Sequence, residues 1–126
     1  MRTSVAPLAD LVVALAFVAI GRRTHHEAGD VEGFARVLWP FAAGLVVAYA
    51  TTGLLREPLA WRRAIPGWLV TVGVGEALRL GVQGRELKLG FLVVAIVFFG
   101  AAMLGWRWAV LRAQTRHTRR APRATR

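Results

Sequence analysis

The chain has 126 residues, 56% hydrophobic and 19% charged, a length for one compact domain and a composition that points away from water. It has no cysteine, which excludes disulfide staples, thiolate metal sites and cysteine nucleophiles. The formal net charge of +10 is carried almost wholly by arginine, with Lys88 the single lysine.

Four apolar segments follow one another, over residues 4–21, 31–55, 66–82 and 88–111. A helix rises about 1.5 Å per residue and a hydrocarbon core is about 30 Å thick, so each segment can span once, the first and third being short. The first segment, preceded by Arg2, could instead be a cleaved signal peptide; Asp10 in its middle and the lack of a small-x-small cleavage site favour a span. Asp30 is placed to cap the second helix, Glu57-Pro58 to end it, Pro66 to open the third and Gly81 with Gly84 to close it. Pro40 lies inside the second segment, where it should kink the helix unless it falls in the first turns. The expected fold is all-α, a bundle of four transmembrane helices.

The last fifteen residues, 112–126, hold six arginines (Arg112, Arg116, Arg119, Arg120, Arg123, Arg126) and read as a disordered tail. Basic charge could mark a nucleic-acid binder, but here it follows the last apolar run, which suits contact with anionic lipid head groups instead. Arg2, Arg56, Arg62, Arg63 and the tail put ten basic residues on one side of the membrane; Arg22, Arg23, Arg36, Arg85 and Lys88 put five on the other. The richer side is the cytoplasmic one, so both termini are expected there. Trp61, Trp68, Trp106 and Trp108 fall near the inner interface and Trp39 near the outer one.

Charges inside the spans are costly, about 2.5 to 3.5 kcal/mol each at a helix centre, and call for partners. Asp10 lies about 9 Å and Arg107 about 6 Å in from the cytoplasmic side, depths at which they can meet, although each could also reach the interface alone. Glu76 and Arg79, one turn apart near the middle of the third segment, can neutralise each other within one helix. Arg79 also continues a row at spacing four, Gly67, Thr71 and Gly75; similar rows run through Pro40, Gly44, Ala48 and Thr52, and through Ala101 and Gly105. Small residues at that spacing let helices approach closely, which would turn the charges into the bundle.

The connection GRRTHHEAGDVEG, residues 21–33, gathers Arg22, Arg23, His25, His26, Glu27, Asp30 and Glu32. It could bind a divalent ion or sense pH, but adjacent histidines are badly spaced for one helix face and no second cluster completes a tetrahedral set. Arg22 and His25 are expected to touch the outer end of the third helix. Ser4 is the sole serine, at the membrane edge, and no phosphate loop or nucleophile-base set occurs, so neither catalytic residue, metal nor cofactor is expected. Two function classes stay open: a structural or accessory subunit, and a small oligomeric transporter or channel, proton-linked through Asp10 and Glu76. The expected partners are the bilayer and a homo-oligomer or larger membrane complex.

The order of Asp10, Gly21-Arg22 with His25, Trp39-Pro40, Thr71 with Gly75 and Arg79, and Gly105-Trp106-Arg107 resembles the family of small bacterial and archaeal membrane proteins called domain of unknown function 3054. The resemblance covers about residues 5–111 and leaves the tail outside. It implies four membrane helices and no stated activity; the expected location of this chain is the bacterial cytoplasmic membrane.

Overall fold

Each apolar run winds into one helix. The computed structural model describes residues 5–24 and 31–120, with side chains for all of these but 23, 24 and 117–120. The helices are α1 (Val5–Thr24), α2 (Val31–Thr52), α3 (Trp61–Gly81) and α4 (Leu89–Arg120), and no strand occurs among the described residues. Consecutive helices pack side by side, most extensively α2 on α3, and α4 closes the ring against α1. The result is an all-α four-helix bundle.

Several boundaries differ from the expectation, each for a local reason. α2 stops at Thr52, before Glu57-Pro58, because Gly53 takes a φ of +76° that reverses the chain. Its new end is held by Arg63, whose Nη1 donates to the Thr52 carbonyl at 3.1 Å, a cation at a helix C-terminus. A Cβ at position 53 would also displace that same guanidinium, so a side chain there would disturb the Thr52 contact as well as strain the backbone. α3 begins five residues before Pro66, and the proline sits inside the helix. At its other end Gly84, with φ +66°, lets the Arg85 amide return to the Arg79 carbonyl at 3.1 Å. α4 does not end at Leu111 but runs on to Arg120; Ala, Gln and Arg are good helix formers, and Thr115 bonds back to the Leu111 carbonyl at 2.9 Å. Asp30, the expected cap of α2, lies outside the described residues.

Three helices are long and apolar enough to cross a membrane, over Val5–Arg22, Val31–Thr52 and Leu89–Arg116. α3 falls below that composition because Arg62, Arg63, Glu76 and Arg79 share its 21 residues with several glycines.

The α2–α3 seam rests on the two rows of small residues. A Cβ on Gly44 would run into the Thr71 carbonyl oxygen, one on Gly75 would strike the Phe41 ring, and one on Gly67 would stand 2.5 Å from Leu54 Cδ1. Ala48 is fully buried in the same seam. Pro40, tenth in α2, has no N–H for the Arg36 carbonyl; Gln83 Nε2 supplies one from beyond α3, at 2.6 Å. Ala101 and Gly105 do not form a seam: both face outward on α4, and nothing lies within 4 Å of a Cβ at 105. The close approach on α4 is instead at Gly100, against the Trp68 indole, whose Nε1 donates to the Ile96 carbonyl at 3.0 Å.

Candidate functional site

Asp10 is in the second turn of α1 and Arg107 is four residues short of Leu111, where the apolar part of α4 ends, yet they meet as a bidentate pair. Arg107 Nη2 donates to Asp10 Oδ2 at 2.6 Å and Nη1 to Oδ1 at 2.9 Å. Both side chains are wholly inaccessible, with 0% of their surface exposed. Two further donors reach the carboxylate: Trp106 Nε1 to Oδ1 at 2.9 Å, and the Tyr49 hydroxyl to Oδ2. Asp10 therefore accepts four hydrogen bonds, two on each oxygen, which fills the capacity of a carboxylate.

The guanidinium is equally occupied. Arg107 Nε donates to the Pro58 carbonyl in the α2–α3 connection at 2.7 Å, and Nη1 also reaches the Met103 carbonyl one turn back at 3.0 Å. The cluster thus ties α1, α2, α4 and the 53–60 connection together at one end of the bundle. It also places the start of α1 and the apolar end of α4 at that same end.

Glu76 and Arg79 form a second and separate pair. Arg79 Nη1 donates to Glu76 Oε1 at 3.0 Å, and its guanidinium lies 3.8 Å from the centre of the Phe91 ring of α4. Only 6% of Glu76 is exposed, and its Oε2 has no hydrogen-bond partner. Between the two charge sites stands a layer of phenylalanines: Phe17 is 4.9 Å from Phe99 and 5.4 Å from Phe41, which stacks on Phe99 at 5.3 Å. Phe17 lies about two turns along α1 from Asp10, and Phe41 about two turns along α2 from Tyr49.

The remaining sequence candidates take other places. Thr71 is fully buried, but its hydroxyl is spent on the Gly67 carbonyl at 2.7 Å, so it serves packing. Arg22, partly buried in the last turn of α1, is already engaged, and it stands at the opposite end from Asp10. His25, with the loop residues from His26 to Asp30 that are candidates for metal ligands or a pH sensor, lies outside the described residues. Among the described residues no three His, Asp or Glu side chains gather as metal ligands. A groove on the outward face of α4 is lined by Val93, Val94, Val97, Phe98, Ala101 and Ala102, without a polar side chain.

Tyr49, Gln83 and the ring layer escaped the sequence reading, and Trp106 was placed at the membrane interface. Tyr49 carried a usable signal: it is the single tyrosine, and it lies six residues in from Leu55, the expected end of the second segment, about 9 Å and the depth already assigned to Asp10.

Fold and site together define a class: a helical bundle with membrane-capable helices, locked at one end by a saturated, solvent-free ion pair. The chain belongs to the family described as "Protein of unknown function (DUF3054)", whose model matches residues 7–110. Among curated proteins and among solved structures, nothing matches it.

Proposed function

We propose that this protein is a structural or accessory subunit of the bacterial cytoplasmic membrane, without enzymatic activity, crossing the bilayer four times with both ends in the cytoplasm. The observation that carries the reading is the closure of the Asp10 site. A carboxylate that moves protons or binds a solute needs an open lone pair and a path to it; Asp10 has four donors and no exposed surface. Such a cluster fixes which helix ends meet, a role of buried charges in specifying register. The fourth crossing is supported by the α2–α3 seam, since α3 lies along α2 from Leu54–Gly67 contact to Gln83–Arg36 contact. Anionic lipids at the arginines beyond Trp108 and a further copy or larger complex are the partners in this reading.

Neutralising the cluster tests the reading. Asp10→Asn with Arg107→Gln keeps a donor-acceptor pair without charge, and this double variant should accumulate in membranes and migrate on native gels like the wild type. Loss of accumulation or assembly in the double variant, with a folded helical spectrum, would count against a purely structural role. A specific observation favours a second reading as a small proton-linked transporter: the unpartnered oxygen of Glu76.

A further inference from the structure

The two buried carboxylates of this bundle are solvated in opposite ways. Asp10 has both oxygens doubly bonded and needs its negative charge to hold the Arg107 guanidinium. Glu76 is nine-tenths buried as well, yet Arg79 engages Oε1 at 3.0 Å while Oε2 meets no donor. A buried carboxylate oxygen without a hydrogen bond is costly, and here Oε2 is the one atom of the pair that no protein donor satisfies.

We propose that Glu76 is a reversible proton-binding site, with Oε2 the atom that takes up and releases the proton, and that Asp10 takes no part in it. The site tolerates both states because Arg79 has two partners. When Glu76 is ionised the guanidinium neutralises it; when Oε2 gains a proton from water the pair changes from net zero to +1, and the cation stays 3.8 Å from the Phe91 ring. Access is from the α3–α4 end, where 13% of the Arg79 side chain reaches the surface.

Among the described residues, the charged groups at this end can be taken element by element; His25, His26, Glu27 and Asp30 of the α1–α2 connection lie outside them. On α3 it is Arg79 itself, bonded to Glu76. From α2 come Arg36 and Glu32, paired with each other at 3.1 Å and exposed. The connection to α4 carries Arg85, Glu86 and Lys88, all exposed, and α4 presents the Phe91 ring. α1, which does not pack on α3, carries Arg22 and Arg23 in its last turn before Thr24. The inference does not depend on the accessory reading above; a structural subunit and a transporter could both carry such a site.

Dicyclohexylcarbodiimide attacks carboxyl groups in apolar surroundings when they are protonated. With the full-length wild type in detergent or liposomes, peptide mass spectrometry should find the adduct on Glu76, its yield falling as pH rises, and none on Asp10. In pH-difference infrared spectra a protonated-carboxyl band should appear, vanish in Glu76→Gln and persist in Asp10→Asn. Labelling of Asp10 rather than Glu76, or an unlabelled Glu76 between about pH 4 and 9 together with spectra that Glu76→Gln leaves unchanged, would overturn the proposal.

Discussion

Arg107 sets the terms of the Asp10 site, because a guanidinium with no exposed surface cannot shed its charge and must be matched atom for atom. Removing one partner strands the other: Asp10→Ala should cost about 3 to 5 kcal/mol, as for other buried pairs broken on one side. Tyr49→Phe deletes one donor to a charged acceptor and should cost about 1.5 to 3 kcal/mol. Unfolding with sodium dodecyl sulfate in mixed micelles measures both. Exchanging the charges, Asp10→Arg with Arg107→Asp, should fail to restore stability, since the Trp106 and Tyr49 donors still point at position 10 and an arginine there accepts from neither. Matching depth was enough to find Asp10 and Arg107 in the sequence, because a membrane makes depth a coordinate that residue counting can read. The rest of the cluster was not legible in that way. A tryptophan near a helix end satisfies the interfacial rule as well as it satisfies a carboxylate, and the Pro58 carbonyl enters only because the 53–60 connection folds back over Arg107.

At the scale of elements, the α2–α3 seam is the most extensive contact among the described helices, and its glycines differ in what they face. Gly44 abuts a backbone carbonyl that cannot move aside, so Gly44→Ala should cost about 1 to 3 kcal/mol and more than Gly75→Ala, which meets a ring. Gly105→Ala should be neutral or slightly stabilising, since its Cβ would enter open space and alanine is the better helix former. Thermal unfolding in one detergent ranks the three. A spacing of four identified these rows, but periodicity names a face and not its neighbour, which is why the Ala101–Gly105 row turned out to look away from the bundle. The proline and acidic signals misplaced the helix ends for a related reason: α2 ends at Gly53 with Arg63 donating to the Thr52 carbonyl, a contact eleven residues apart and beyond the reach of local punctuation. The same connection carries a pH dependence. Hydrogen bonds from Arg62 and Arg63 lower the Glu57 carboxyl from 4.5 to about 2. The folded value lies below the unfolded one, so the clamp contributes fully above the unfolded value and is lost as pH falls from 4.5 towards 2. The melting temperature should therefore decline across that window more steeply in the wild type than in Glu57→Gln, as circular dichroism in detergent at stepped pH would record.

Across the whole molecule, length and charge determine how the bundle sits in a bilayer. α4 has 32 residues, about 48 Å of helix against a core of about 30 Å, so it cannot be wholly immersed. The surplus belongs to the end beyond Trp108, whose ring lies 5.3 Å from the Arg112 guanidinium and suits the head-group level, with exposed Arg116 a further turn out. Because Asp10 and Arg107 bond to each other, the start of α1 is at this same arginine-rich end, and the 53–60 connection with it. The 82–88 connection is then at the opposite end, and it faces the other compartment only if α3 crosses despite its four charges. Those charges permit a crossing: Arg62 and Arg63 bond Glu57 outside the apolar stretch, and Glu76 with Arg79 is turned inward. The absence of cysteine makes the crossing measurable with single introduced thiols. Arg56→Cys and Ala113→Cys should react with a membrane-impermeant maleimide only in inverted vesicles, whereas Glu86→Cys should react in intact cells. If positions 56 and 86 react from the same side, α3 does not traverse the membrane, and the small-residue seam joins α2 to a helix that enters and leaves by one face.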